Sequence, residues 1–171
     1  AKEILKFHGV FWPIMLHAAG IPLYRELRVH GYWTLGGRKI SKSAANLVDA
    51  LALKEVYGYE ALRYFMLREM SFGVDAEFSE EALVARLNAD LANDLGNLVS
   101  RSLGMLGKYF GGRVPAGSGA SDLRAIAARV ASDVDRHVRA FSTQRALASL
   151  WELVGAANKY VDSSAPWVLA K

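Results

Sequence analysis

Six apolar residues stand at a strict four-residue step: Leu83, Leu87, Leu91, Leu95, Val99 and Leu103. That recurrence fits a helix and not the two-residue alternation of a strand. Ser79-Glu80-Glu81 opens the helix with an N-cap hydroxyl and early carboxylates that suit its positive end. Gly111-Gly112-Arg113-Val114-Pro115 ends it. The row predicts one face buried along its whole length, which requires partner helices. Ser121-Asp122 caps a second helix, with Leu123, Ile126, Val130, Val134, Val138 and Phe141 in its apolar row. Ser142-Thr143 starts a third, carrying Leu147, Leu150, Trp151, Val154 and Val161. Three long helices joined by short connections predict an antiparallel bundle.

The chain before this bundle is patterned differently. Residues 2–19 read as a helix through Ile4, Phe7, Phe11, Ile14, Met15 and Ala18, with Pro13 expected to kink or interrupt it. Residues 28–35 read as an aromatic and β-branched strand. A second helix is expected from an Asn46 N-cap to Tyr57, and a third over about 59–70. Residues 71–78 show no period and read as a connector, so the domain boundary is placed there, at 73/74. The alternation of helix, strand, loop and helix in residues 1–73 suits the edge of an α/β domain.

Composition narrows the classes. Half of the 171 residues are apolar (52%), enough for a real core, and no cysteine is present. A disulfide scaffold and a thiolate metal site are thereby excluded. The histidines at 8, 17, 30 and 137 are too scattered for an evident zinc site, so no metal ligands are assigned. No apolar run approaches the ~20 residues of a membrane helix, and the N-terminus has no signal-peptide core. A cytoplasmic protein with no membrane partner is expected. The chain lacks an initiator Met and starts inside a helical pattern, as expected of a piece of a longer protein. The net charge is +4, and residues 1–45 hold seven cations against Glu3 and Glu26. That front end suits a phosphate or polyanion as well as an ordinary solvated surface.

Three local motifs carry chemistry. In Gly36-Gly37-Arg38-Lys39-Ile40-Ser41-Lys42-Ser43, Lys39 and Lys42 are able to converge on a phosphate chain while Ser41 and Ser43 add hydroxyls. The pattern approaches a P-loop, but Ser41 replaces the Gly around which backbone amides wrap phosphate. A solvated basic hairpin tip is the alternative. Asn93, Asn97 and Arg101 form a polar ladder on the long helix, suited to reading base edges or simply to facing water. Trp167, fixed after Pro166, is either a flat stacking platform or a cap on the bundle core.

Together these segments resemble the methionyl-tRNA synthetase family of class I aminoacyl-tRNA synthetases. Lys39-Ile40-Ser41-Lys42-Ser43 is similar to the KMSKS signature, with Ile for Met. Phe7-His8-Gly9-Val10-Phe11-Trp12-Pro13 resembles the family's F-H-x-x-x-W-P helix, and His30-Gly31-Tyr32-Trp33-Thr34 its strand before the signature. Ala61-Leu62-Arg63-Tyr64-Phe65 through Phe78-Ser79 resembles its A-L-R-Y to F-S segment. Asn97-Leu98-Val99-Ser100-Arg101 and Ala165-Pro166-Trp167 fall where that family keeps anticodon-reading residues.

The resemblance implies a mainly α chain. A helical-bundle anticodon-binding domain (74–171) would follow the C-terminal edge of a Rossmann-like catalytic domain (1–73). It implies activation of methionine by ATP with Mg2+, followed by transfer to tRNA(Met), initiator and elongator alike. Lys39 and Lys42 would be catalytic, with Ile40, Ser41 and Ser43 completing the ATP-binding segment. Ile4, Phe7 and His8 would line the methionine pocket, and Asn97, Arg101 and Trp167 would bind the anticodon. The family's HIGH signature and Cys-ligated zinc insertion have no counterpart in these residues, so the zinc site would lie elsewhere in the parent protein. The isolated chain is expected not to form methionyl-adenylate. A stand-alone tRNA-binding module without catalysis is the alternative function. Another class I synthetase, for cysteine or leucine, fits the Asn97, Arg101 and Trp167 set less well.

Overall fold

The structure is a computed structural model that describes residues 2–40, 47–117 and 121–170. Ser41, Lys42, Ser43 and Asn46 lie outside the described residues. The N-terminal helix runs as a 3-10 turn (Lys2–Ile4), a π-helical segment (Phe7–Phe11) and α1 (Trp12–Ala18). Pro13 does not break it. The proline stands at the start of α1, where its missing N–H falls at the change from π to α hydrogen bonding.

The expected strand over 28–35 is shorter: only Trp33–Leu35 forms β1. Gly36 and Gly37, both with positive φ (59° and 70°), make a two-residue hairpin turn into β2 (Arg38–Lys39), which pairs Leu35 with Arg38. Positive φ at both positions favours glycine. The expected connector is also not structureless. Ala76–Glu77 forms β3 and pairs parallel to β1, giving the order β2-β1-β3. β3 is held so close that a Cβ on Gly31 would sit 2.1 Å from the Val74 carbonyl oxygen.

α2 (Ala50–Tyr57) is capped by Asp49, whose carboxylate accepts from the amides of Leu51 and Ala52 at 2.9 and 3.2 Å. This corrects the expected Asn46 cap. A carboxylate directly before the first helical turn reaches its unpaired amides, whereas Asn46 precedes that turn by four residues. α3 (Tyr59–Glu69) follows and sends Phe65 into the core, where it is completely buried with Leu83. Trp33, Phe65 and Phe78 pack with ring centroids 5.8–6.4 Å apart, and Ile40, Val48, Leu53 and Leu87 close the cluster. Burying one such aromatic contributes about 1.5–3 kcal/mol. The core therefore draws residues from both sides of position 73/74.

Ser79 caps the long helix by accepting from the Ala82 amide at 3.0 Å. The helix then runs as α4 (Glu80–Arg86), a π-helical segment (Leu87–Gly96) and α5 (Asn97–Phe110). Its apolar row is not buried throughout, contrary to the sequence reading. Leu83 is fully buried, but exposure rises to 36%, 47% and 61% at Leu95, Val99 and Leu103. On an α-helix a four-residue step advances about 40° per step, so a long row winds off the packed face. α6 (Ser121–Arg139) and α7 (Thr143–Ser164) form a hairpin, with Val130 and Val154 buried. α8 (Pro166–Leu169) ends the described chain. α7 packs against α3 as well as against the long helix; the Tyr64 and Trp151 rings lie 5.1 Å apart.

One buried charge sits where these elements meet. Asp90, 5% exposed, accepts from the Tyr64 hydroxyl at 2.5 Å and from Arg68 Nε at 3.2 Å. Arg86 lies 3.6 Å from its other oxygen and 3.2 Å from Glu69.

Gly31→Ala tests the closeness of β3. With backbone rather than a flexible side chain in the way, the substitution should lower unfolding free energy in urea by about 3 kcal/mol. A loss below about 0.5 kcal/mol would contradict the packing described.

Candidate functional site

Lys39 ends β2, and its surroundings are built from three distant segments. The 3-10 turn at the N-terminus brings Glu3 beside it, and the Glu3 carboxylate forms an ion pair with the Lys39 ammonium. Tyr32, just before β1, donates its hydroxyl to the same Glu3 oxygen at 2.7 Å. The Tyr32 ring has the Lys39 ammonium 4.7 Å from its centroid and that of Lys2 at 4.9 Å. Lys2 is bonded to both Asp75 oxygens at 2.8 Å, and Asp75 also accepts from the Tyr32 amide at 2.9 Å. Each ammonium on this ring therefore has its own carboxylate.

The Gly36-Gly37 turn faces a third carboxylate. The Gly37 amide donates to Glu77 at 3.2 Å, and the Thr34 hydroxyl also bonds Glu77. Lys39 holds Glu3 below the usual carboxylate range, assisted by the Tyr32 hydroxyl. Lys2, then the Tyr32 amide, does so for Asp75, and Thr34 does so for Glu77. Glu3 in turn raises Lys39, which stays cationic. Ile40 is partly buried against the core, where it lines an apolar cavity with Trp33, Val48, Leu53 and Phe78. The segment that follows Ile40 is thus anchored at its start by an apolar side chain.

Of the expected methionine-pocket residues, Ile4 and His8 share a cavity of about 260 Å3 with Leu5, Leu27, Arg28, Val29 and His30. His8 Nδ1 lies 3.0 Å from the Ile4 carbonyl oxygen, and the Tyr24 hydroxyl donates to the His8 carbonyl. Phe7 does not line that cavity. It points to the other side, edge-on to Phe11 at 5.6 Å.

The second site lies on the bundle. α7 ends at Ala165, whose left-handed φ of 41° turns the chain sharply into α8. That conformation costs a non-glycine residue about 1–2 kcal/mol. Here it returns Trp167 to α5, with the Arg101 guanidinium 5.7 Å from its ring centroid. Arg101 also bonds Asp162 at 2.5 Å. An open groove of about 280 Å3 is lined by Arg101, Gly104, Met105, Lys108, Tyr109 and Trp167. Asn97 is exposed one turn before Arg101 but does not line this groove.

The structure therefore joins Arg101 with Trp167 and Ile4 with His8. It adds Glu3, Tyr32, Asp162, Lys108 and Tyr109, which the sequence reading passed over. Lys108 stands seven residues after Arg101 and so on the same helical face, a signal that was present in the spacing. Among the described residues, no group of three or more His, Asp or Glu side chains is placed to hold a metal ion. No helix among them is long and apolar enough to cross a membrane.

The family model for tRNA synthetases class I (M) matches residues 1–103. The methionine-tRNA ligase of Caldanaerobacter subterraneus subsp. tengcongensis is 47% identical over 174 residues, covering 99% of this chain and 27% of that protein. The methionine-tRNA ligase of Bacillus subtilis is 43% identical over 175 residues, covering 99% and 26%. The chain thus spans about a quarter of the length of these relatives. The Mycobacterium tuberculosis methionyl-tRNA synthetase in complex with methionyl-adenylate superposes with a TM-score of 0.92 at 45% identity, covering all of this chain and 34% of that one. The apo form of the Mycobacterium tuberculosis enzyme gives 0.87 at 42% identity, with the same coverage.

The lowered carboxylates predict acid sensitivity. Glu3, Asp75 and Glu77 lie below their ordinary values of 4.5, 3.8 and 4.5. Their contribution is complete above those values and is lost as pH falls through the lower folded ones. The thermal midpoint should drop between about pH 6 and pH 3, and Asp75→Asn should reduce that drop. An equal drop in the variant would contradict the role given to Asp75.

Proposed function

The chain belongs to the methionine type of class I tRNA synthetases, and on that premise we propose that its parent protein is a methionine-tRNA ligase to which this chain contributes two sites. The parent activates methionine with ATP and Mg2+, then transfers the methionyl group to the terminal ribose of tRNA(Met), initiator and elongator. Mg2+ arrives with ATP as part of the substrate. Residues 1–73 act in activation and residues 74–171 in recognition of tRNA, in the cytoplasm.

In activation the methionine carboxylate attacks the α-phosphate and pyrophosphate leaves. Lys39 and Lys42 neutralise the charge that gathers on the triphosphate oxygens, while Ser41 and Ser43 donate hydrogen bonds. Ile40 anchors this segment to the core. Ile4, Phe7 and His8 form the methionine side of the site, where a thioether calls for apolar and aromatic walls.

In recognition, Asn97, Arg101 and Trp167 read an unpaired anticodon. The observation that carries this assignment is the convergence of Arg101 on Trp167 beside an open groove that also holds Lys108 and Tyr109. A flat ring, a planar cation and a second ammonium together suit a single-stranded nucleotide, whose base stacks while its phosphates are neutralised.

Trp167→Ala should weaken binding of a tRNA(Met) anticodon stem-loop by about 1–3 kcal/mol, the loss of one stacked base, as followed by fluorescence anisotropy. Unchanged affinity would remove Trp167 from the site.

A further inference from the structure

Lys39 is assigned to the triphosphate, yet its ammonium is already engaged. It pairs with Glu3, a residue 36 positions earlier in the chain. The pair is held from a second side, because the Tyr32 hydroxyl donates to the same Glu3 oxygen at 2.7 Å. It is held from a third by the Tyr32 ring beneath the ammonium at 4.7 Å. Lys39 lies on β2, an edge strand of two residues, so it is the last ordered contact before the signature residues. Both charged groups are about half exposed, which leaves the pair open to a competing anion.

We propose that Glu3 is a positioning residue that holds Lys39 in the nucleotide-free enzyme and competes with the triphosphate for its ammonium. This rests on the assignment of Lys39 to ATP. The magnitudes suit such a latch. An exposed ion pair is worth about 0.2–1 kcal/mol, too little to resist a polyanion that offers more charge and more acceptor oxygens. It is enough to change apparent nucleotide affinity by about two- to fivefold. Glu3 stays ionised throughout, because Lys39 and Tyr32 both hold its carboxyl low. The neighbouring Lys2 does not substitute for Glu3, since both oxygens of its own partner, Asp75, are taken up by it.

The test is ATP–pyrophosphate exchange by the full-length parent enzyme. Glu3→Gln should lower the KM for ATP about two- to fivefold and leave the KM for methionine unchanged. The shift should shrink as KCl is added, and it should vanish when Lys39→Ala is already present. Glu3→Asp keeps the charge but shortens the reach, and should give an intermediate shift, which also serves if Glu3→Gln folds poorly. An unchanged or raised KM for ATP overturns the proposal, as does a shift that persists in the Lys39→Ala background. If Lys39→Ala alone leaves exchange untouched, the assignment of Lys39 to ATP fails and the latch fails with it. A defect in Lys39→Ala without any effect of Glu3 removes the latch only.

Discussion

The fold turns on one buried carboxylate. Asp90 is almost fully out of water, and a lone charge there would be prohibitive. It is tolerated because the Tyr64 hydroxyl, Arg68 and Arg86 converge on it, and Glu69 takes the other side of Arg86. Burial, and then the Asp90 charge, pushes the Tyr64 hydroxyl well above its ordinary range, so it remains a donor. Burial pulls the Arg86 guanidinium down, but Glu69 and Asp90 more than offset this and it stays charged. Breaking such a cluster is expensive even where building it contributes little net stability. Its members come from α3, α4 and the π-helical segment, so it sets the position of the long helix on the sheet.

What lies at either end of that helix follows from this placement. Towards its start, Leu83 enters the aromatic core with Phe65 and Phe78, beneath the hairpin that carries Lys39. Towards its end, Arg101 and Lys108 face Trp167. The π-helical segment between them changes the helical phase. It ends at Gly96, where a Cβ would lie 2.8 Å from the Leu91 carbonyl oxygen, so the wide turn closes on the residue with no side chain. α7 completes the arrangement by packing Trp151 on Tyr64 at one end and turning through Ala165 at the other. Phe141, in the turn between α6 and α7, meets the Phe72 ring and the Arg28 guanidinium and so ties the bundle back to the N-terminal segments.

Much of this was legible from residue order alone. The Ser79 cap, the glycines between β1 and β2, and the helical rows of α6 and α7 are local signals, and the structure follows them. Signals that depend on partners were less legible. The row from Leu83 to Leu103 was periodic throughout, but periodicity does not say where the partner helices end. β3 is two residues long and exists only because β1 offers an edge, so nothing in Ala76-Glu77 announces it. Asp49 was overlooked in favour of Asn46 because both are capping residues and only the backbone decides between them. The family's site residues were recognisable as motifs, but the groups around them were not. Glu3 reaches Lys39 across 36 residues, and Asp162 reaches Arg101 across 61.

The account therefore depends on Asp90 joining the hairpin end and the groove end into one cooperative unit. Urea unfolding of the Asp90→Ala chain, followed by far-UV circular dichroism and by tryptophan fluorescence, tests this most directly. The account predicts a loss of about 3–5 kcal/mol, the cost of leaving buried partners without their charge, with both signals shifting together. A loss below about 1 kcal/mol, or a shift in only one of the two signals, would contradict it.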